Sequence, residues 1–378
     1  MAKLPNGVTQ RKDGLYIGRF QYQGIRYNVT DQDMKKCADK LEKMKYEIKN
    51  GIYCKESVVT VNSWFRTWID EYKKPTVKEN TIDTYEIIYE KHIKKPLGSR
   101  KIKEVRPEMI QRLYNSMKKH DLSKSTIQTT GTILHSMFQQ AYKNEMIQKN
   151  PVSMATIPKM KNKKESRVMT LEEQKLFMEY AKDSEIADIC ELFLSTGLRS
   201  GELRGLDWKT DIDFKNKVIH VTGTLCHSGE TGWRKDEPKT RTSKRDIPML
   251  GNVERLLKRV RRQQMEKKLY MGDKWQSVKG FENLVFLEES GLPMYQSSLK
   301  TKLDKIQRAI IKDGHEFERI TPHTFRHTFA TRCIENGIPP QVLKGILGHS
   351  TLSMTMDLYA HVLPDTKAKE LQKIANLF

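Results

Sequence analysis

No run of about 18 apolar side chains occurs anywhere in the 378 residues, which excludes a membrane-spanning helix as an organising feature. The first residues, MAKLPNGVTQRKDG, have no apolar core of the kind a secretory signal needs, so a cytoplasmic location is expected. Cysteine is scarce and odd in number: Cys37, Cys54, Cys190, Cys226 and Cys333 stand far apart and form no C-x-x-C pair. That excludes a disulfide framework and a thiolate zinc site, and leaves reduced thiols as the expected state. Internal repeats and low-complexity tracts are absent, and carboxylates do not cluster as a two-metal nuclease site requires. Acidic residues are in short supply, 47 against 68 Lys+Arg, giving a formal charge of +21. With no membrane segment to explain it, an excess of that size points to a polyanionic partner, most simply nucleic acid.

What is present reads as several domains, mainly α with small β elements. In residues 1–55, GLYIGRFQYQGIRYNVT alternates aromatic and polar residues around Gln23-Gly24, which predicts a hairpin within a small three-stranded sheet. A helix is expected from about Asp33, with Met34, Cys37, Ala38, Leu41, Met44 and Ile48 on one face and Gly51 as its stop. One helix can back only one face of that sheet. The other carries Arg19, Gln21 and Arg26, suited to a DNA groove.

Residues 57–155 read as a helical domain of four helices. SWFRTWIDEYKK places Trp64, Trp68 and Tyr72 in a row beside Phe65 and Ile69, a spacing that belongs to a core rather than to base stacking. TIDTYEIIYEKHI supplies the second helix. RPEMIQRLYNSMKK starts at Pro107 and stripes Ile110, Leu113, Tyr114 and Met117. The fourth, STIQTTGTILHSMFQQAYKNEMI, is expected to run on to Asn150-Pro151. Residues 156–168, including PKMKNKKESRV, form a basic linker whose Lys161, Lys163 and Lys164 could follow a phosphate backbone. Residues 169–364 form a mixed α+β domain opened by a Thr170/Glu173 capping box, with helices to about 208, strands in NKVIHVTGTL and KRDIPM, and helices again from NVERLLKRVRRQQ. The tail, residues 365–378, patterns as a short amphipathic helix.

The stretch TPHTFRHTFATRCIENG has Thr321 as a helix cap, Pro322 in the first turn and Asn336-Gly337 as its end, so His323 and Arg326 project together three residues apart. Phe325, Phe329 and Cys333 make a separate packing row. Earlier, STGLRSGEL sets Arg199 at a Gly197 turn with Glu202 one helical turn on, and PKTRTSKRDIPM holds Lys239 in a basic hairpin with Lys235 and Lys244 as rivals. LGHS brings His349, and Tyr359 follows ten residues later. Two arginines, a lysine, two histidines and a tyrosine without a metal motif suit nucleophilic attack on a phosphodiester. Guanidiniums match the charge on the non-bridging oxygens, a phenolate attacks, and a lysine of lowered pKa protonates the leaving 5′ oxygen.

The boxes TGLRSGEL, PKT, HTFRHTFAT, LGHS and the tyrosine resemble, in order and spacing, those of the tyrosine recombinases, or phage-type integrases. The resemblance implies Arg199 and Arg326 as the catalytic arginines, Lys239 as the hairpin lysine, His323 and His349 as the box histidines, Glu202 as a supporting acid and Tyr359 as the nucleophile. More loosely, 57–155 resembles the family's helical core-binding domain and 1–55 the arm-binding domain of conjugative-transposon integrases. The implied activity is site-specific recombination through a 3′-phosphotyrosyl intermediate and a Holliday junction, by a homotetramer on core and arm sites, with an excisionase as an optional partner and no cofactor, metal or ATP. The resemblance further implies that the C-terminal tail docks on a neighbouring protomer. Two alternatives remain at this level: a type IB topoisomerase-like strand transferase, and a non-catalytic helix-turn-helix regulator. The second rests on IPPQVLKGILGHSTLSMTMDLYAHV, with Val342, Leu343, Ile346 and Leu347 as its packing row.

Overall fold

The computed structural model describes residues 4–49, 59–160, 167–229, 231–237 and 243–362. Lys161, Lys163, Lys164, Lys239, Gly51 and the tail helix lie outside them. The chain divides into two compact units, Met1–Lys163 and Lys164–Phe378. Among the described residues no helix is long and apolar enough to cross a membrane.

The first unit begins with an antiparallel sheet of β1 (Val8–Gln10), β2 (Tyr16–Tyr22) and β3 (Ile25–Asp31) in that order. Gln23 and Gly24 both have positive φ, 46° and 82°, the turn that matches the twist of a tight hairpin. Helix α1 (Met34–Lys49) is capped by the Asp33 carboxylate, which accepts from the Lys36 N–H at 2.9 Å. It buries Cys37 and Leu41 against Val8. Gly18 permits the close approach: a Cβ there would sit 3.1 Å from Leu41 and 2.9 Å from Val29. Arg19 pairs across the hairpin with Asn28, and Gln21 with Arg26. All four are exposed, as the expected open face requires.

The helical part consists of α2 (Val61–Thr67, continuing as a π-helix through Lys73), α3 (Glu79–Ile88), α4 (Lys94–Leu97, joined to α3 by a π-helical turn), α5 (Pro107–Lys119) and α6 (Lys124–Lys143). Trp64, Phe65, Trp68 and Ile69 are buried, as core spacing predicts. The Phe65 and Tyr89 rings stack 3.6 Å apart, and the Trp64 indole donates to the Met137 carbonyl at 3.0 Å. The fourth helix stops at Lys143, short of Asn150-Pro151. Asn144 donates to the Tyr72 hydroxyl at 2.8 Å and Glu145 takes φ 57°, so a tertiary contact and a left-handed residue end it. Pro151 instead opens a 3₁₀ turn, Pro151–Met154.

In the second unit Thr170 and Glu173 form the expected capping box of α7 (Leu171–Ala181), followed by α8 (Ala187–Thr196) and α9 (Ser200–Arg204). Strands β4 (Ile212–Asp213), β5 (Val218–Val221) and β8 (Arg245–Pro248) form one antiparallel sheet, while β6 (Thr224–Ser228) and β7 (Gly232–Asp236) form a separate hairpin. Helices α10 (Gly251–Met271), α11 (Gln296–Lys312), α12 (Pro322–Glu335), α13 (Pro340–Leu347) and α14 (Ser353–Val362) complete it. The α12 helix joins two clusters. Phe325 packs against Phe193 and Phe177, with ring centroids at 5.6 and 5.5 Å, while Ala330, Cys333 and Ile334 meet Leu343 and Leu347. Of the row expected on α13, Leu343 and Leu347 are buried and Ile346 is half-buried, but Val342 faces solvent at 52 % exposure. A helix of only eight residues packed along one side leaves that position uncovered.

Because Phe325 is fully buried between two other rings, Phe325→Ala should cost about 3–5 kcal/mol, the usual cost of a buried aromatic truncation. Denaturant unfolding with unchanged slope would register it as a lowered midpoint.

Candidate active site

The site begins with a glycine. Gly197 ends α8 at φ 62°, and a Cβ there would lie 2.4 Å from the Phe329 ring, so only glycine fits both the turn and the packing. That turn delivers Arg199 to the start of α9, where its own N–H donates to Glu202 at 2.9 Å and its guanidinium to the same carboxylate at 2.7 Å. A second Arg199 nitrogen reaches the Gly348 carbonyl at 3.1 Å. Arg326, on the first turns of α12 and only 4 % exposed, donates to the carbonyls of Gly197 at 2.8 Å and Leu347 at 2.6 Å. Among the described residues, each guanidinium spends only part of its five N–H donors on the protein.

These arginines line a cleft of about 150 Å³ together with His323, His327, His349, Ala330, Leu347, Met354 and Leu358. The rings of His323 and His327 meet edge to face at 4.8 Å. His349 is buried, and its Nδ1 lies 2.9 Å from the Thr355 hydroxyl. Of the residues the sequence singled out, the structure brings Arg199, Arg326, His323 and His349 together in one cleft, with Glu202 bonded to Arg199.

Three residues escaped it. Arg245, at the start of β8, clasps Glu202 with two nitrogens at 3.1 and 2.9 Å and donates through Nε to the Ile346 carbonyl at 2.5 Å. Its signal was weak, because in KRDIP it reads as one more surface cation. Only its register opposite buried Val221 turns it inward. His327 follows His323 by four, one helical turn, and Thr355 is an unremarked threonine. Tyr359 is elsewhere. Its ring packs beside the cluster of Ala330, Cys333, Ile334, Leu343 and Leu347, its hydroxyl donates to the Ile338 carbonyl, and it is not among the residues lining the cleft. Burial and the neighbouring Cys333 raise its pKa, so in this position it is a phenol. Of the lysine candidates, Lys235 on β7 is tied to buried Asp211 at 2.5 Å and Lys244 makes an exposed pair with Glu237 at 3.7 Å. Lys239 lies outside the described residues.

The electrostatics follow from burial among cations. Burial alone would raise the Glu202 pKa, but the Arg245 hydrogen bonds, the charges of Arg245 and Arg199 and the Arg199 N–H bring it down to about 2. The His349 pKa falls to about 4, first through burial and then through Arg326, Arg199 and Arg245, so the imidazole is neutral at pH 7. Three guanidiniums against one carboxylate leave a surplus of two positive charges around a small cleft. Such a pocket attracts an anion and offers guanidinium donors to its oxygens.

Fold and donor set define a DNA strand-transferring enzyme, and comparison with known proteins gives its family. Residues 153–365 match the Phage integrase family and residues 60–118 the Phage integrase N-terminal SAM-like domain; the chain belongs to this family. It is a tyrosine recombinase of the conjugative-transposon integrase type. A tyrosine recombinase XerC-like protein of Caldanaerobacter subterraneus subsp. tengcongensis is 31% identical over the full length of both chains. The transposase from transposon Tn916 of Enterococcus faecalis is 25% identical over 98% of this chain and 94% of its own. Among solved structures, the Tn1549 transposon integrase in complex with transposon right end DNA superimposes with a TM-score of 0.70 at 28% identity, covering 84% of this chain and 100% of that one. A lambda integrase tetramer bound to a Holliday junction shares the fold at a TM-score of 0.57 and 18% identity, over 95% of this chain and 96% of that one.

Two groups with depressed pKa values set the acid response. Neutral His349 weakens the fold as pH drops from 6.5, the ordinary imidazole value, to about 4, because the unfolded chain takes up the proton first. Glu202 adds stability that is lost as pH drops from 4.5 toward about 2. Melting temperature measured against pH should therefore fall in both intervals, and His349→Gln should flatten only the upper one. Arg245→Met leaves Glu202 with one partner and should cost about 3 kcal/mol, the low end for breaking a buried pair.

Proposed function

We propose that this chain integrates and excises a mobile element, with Tyr359 as the nucleophile and the cleft between α9 and α12 as the seat of the scissile phosphate. The carrying observation is the convergence of Arg199, Arg326, His323 and His349 on one cleft, braced from beneath by Glu202. In this reading the two arginines hold the non-bridging oxygens, and the histidines hydrogen-bond the phosphate or receive the phenolic proton. The Tyr359 oxygen attacks phosphorus, and the bond to the 5′ oxygen breaks as Lys239 protonates the leaving group. A 3′-phosphotyrosyl ester remains, and a 5′ hydroxyl from the partner DNA reverses the step. The ester conserves the broken bond, so no ATP is required.

Tyr359 must leave the Ile338 carbonyl to reach the phosphate, so the position it occupies here is a resting one. The engagement of Lys235 with Asp211 favours Lys239 over Lys235 as the acid. Each unit then contributes a DNA-contacting surface. Arg19 and Arg26 on the open sheet face suit an arm-type site, and Lys161, Lys163 and Lys164 follow the backbone of a core site. In this reading a homotetramer exchanges strands through a Holliday junction, the DNA to which the lambda integrase tetramer is bound, and an excisionase is an optional partner. Such a protein acts where the chromosome is, in the bacterial cytoplasm and on the nucleoid.

A nicked core-site substrate that traps the covalent intermediate tests the assignment. Wild-type protein should form the adduct in EDTA, and Tyr359→Phe should bind the DNA and form none. Arg199→Ala and Arg326→Ala should each slow cleavage by about 10²–10³, the loss expected for one preorganised donor. Lys239→Ala should be restored by a 5′-bridging phosphorothiolate, whose sulfur leaves unprotonated. A robust adduct from Tyr359→Phe, or thiolate rescue of Lys235→Ala instead, would overturn the corresponding role.

A further inference from the structure

Thr355 is a threonine in the first turns of α14 with no solvent exposure at all. A mid-helix threonine can return its hydroxyl proton to the carbonyl four residues back, but Thr355 is the third residue of its helix and has no helical carbonyl there. Among the described residues, the Thr355 side chain has one hydrogen-bond partner, His349 Nδ1 at 2.9 Å. Water cannot reach it, so the hydroxyl proton has Nδ1 as its acceptor. Were the roles reversed, with Nδ1–H donating, the hydroxyl proton would be buried without a partner. That arrangement costs about 1–3 kcal/mol, enough to decide between two tautomers. A neutral ring that accepts at Nδ1 carries its own proton on Nε2. Nε2 has no partner among the described residues, and His349 lines the cleft with Arg199 and Arg326.

We propose that Thr355 is a positioning residue that fixes His349 as the Nε2–H tautomer, making the imidazole a hydrogen-bond donor to a phosphate oxygen rather than a base for the tyrosine proton. This rests on the reading of the cleft as the phosphate seat. It adds a division of labour between the histidines: His349 gives a hydrogen bond, and proton acceptance from the tyrosine falls to another group. The depressed pKa of His349 agrees with it, since a ring neutral at pH 7 has a tautomer to choose. Leu347 and Gly348, which accept from Arg326 and Arg199, lead directly into His349, so the three donors are registered by one turn of chain.

The test uses the full-length protein labelled with ¹⁵N in its histidine rings, with His349→Gln to assign the resonances. Nδ1 of His349 should resonate as an unprotonated nitrogen and Nε2 as a protonated one. Thr355→Val keeps the shape and removes the hydroxyl. It should mix the tautomers and slow covalent cleavage of the nicked substrate about 10-fold, with substrate affinity and melting temperature little changed. Thr355→Ser should restore both the nitrogen pattern and the rate, and it keeps the proposal testable if the valine variant folds poorly. A protonated Nδ1 in the wild type, or a Thr355→Val protein with unchanged tautomer or unchanged cleavage, overturns the proposal. Failure of the cleft assignment has a different signature: Arg199→Ala and Arg326→Ala would cleave normally while the Nε2–H pattern persisted.

Discussion

The carboxylate of Glu202 is the point on which the catalytic unit turns. It is 4 % exposed, and it is gripped by Arg199 from its own helix and by Arg245 from the neighbouring sheet. A buried anion alone would be prohibitively unstable; two arginines side by side without it would repel. Together the three form a unit that no member could leave without stranding the others. Through Arg245 it reaches the Ile346 carbonyl, and through Arg199 the Gly348 carbonyl, so the α13 end and the β8 start are tied to the same acid. The cleft's positive surplus is therefore built into the fold rather than assembled when DNA arrives. Electrostatic stabilisation is most effective when the dipoles need not reorganise.

Helices with one wet face were legible in the sequence. The α5 stripe of Ile110, Leu113, Tyr114 and Met117 is buried as its spacing requires, and the caps at Thr170, Thr321 and Asn336 stand where their side chains predict. The helix α12 was harder, because it is enclosed on nearly every side and its pattern carries no dominant face. It was legible instead through its boundary signals at Thr321, Pro322 and Asn336-Gly337 and through the chemistry of its polar residues. Sequence also named four of the residues gathered around Glu202, because a phosphate-binding site needs charged groups in a recognisable order.

What stayed hidden was set by three-dimensional context. Arg245 looks like surface charge until strand pairing puts it opposite Val221. The α6 terminus depends on Asn144 meeting Tyr72, seventy-two positions away, which no local pattern records. The π-helical turns after α2 and α3 lie where Phe65 stacks on Tyr89 and Trp68 on Tyr85, and are a matter of fitting rings between helices. The packing of the Tyr359 ring beside Ala330, Cys333 and Ile334 is likewise a tertiary contact that composition cannot rank.

Thr355 and Tyr359 are one helical turn apart on α14, and so share a face of it. The first grips a wall of the cleft; the second is parked against Ile338. In the proposed reading, the helix that must bring the tyrosine to the phosphate is thus pinned in its first turn to the wall of the cleft that receives it. Delivery of the ring and integrity of the wall are coupled through one hydrogen bond.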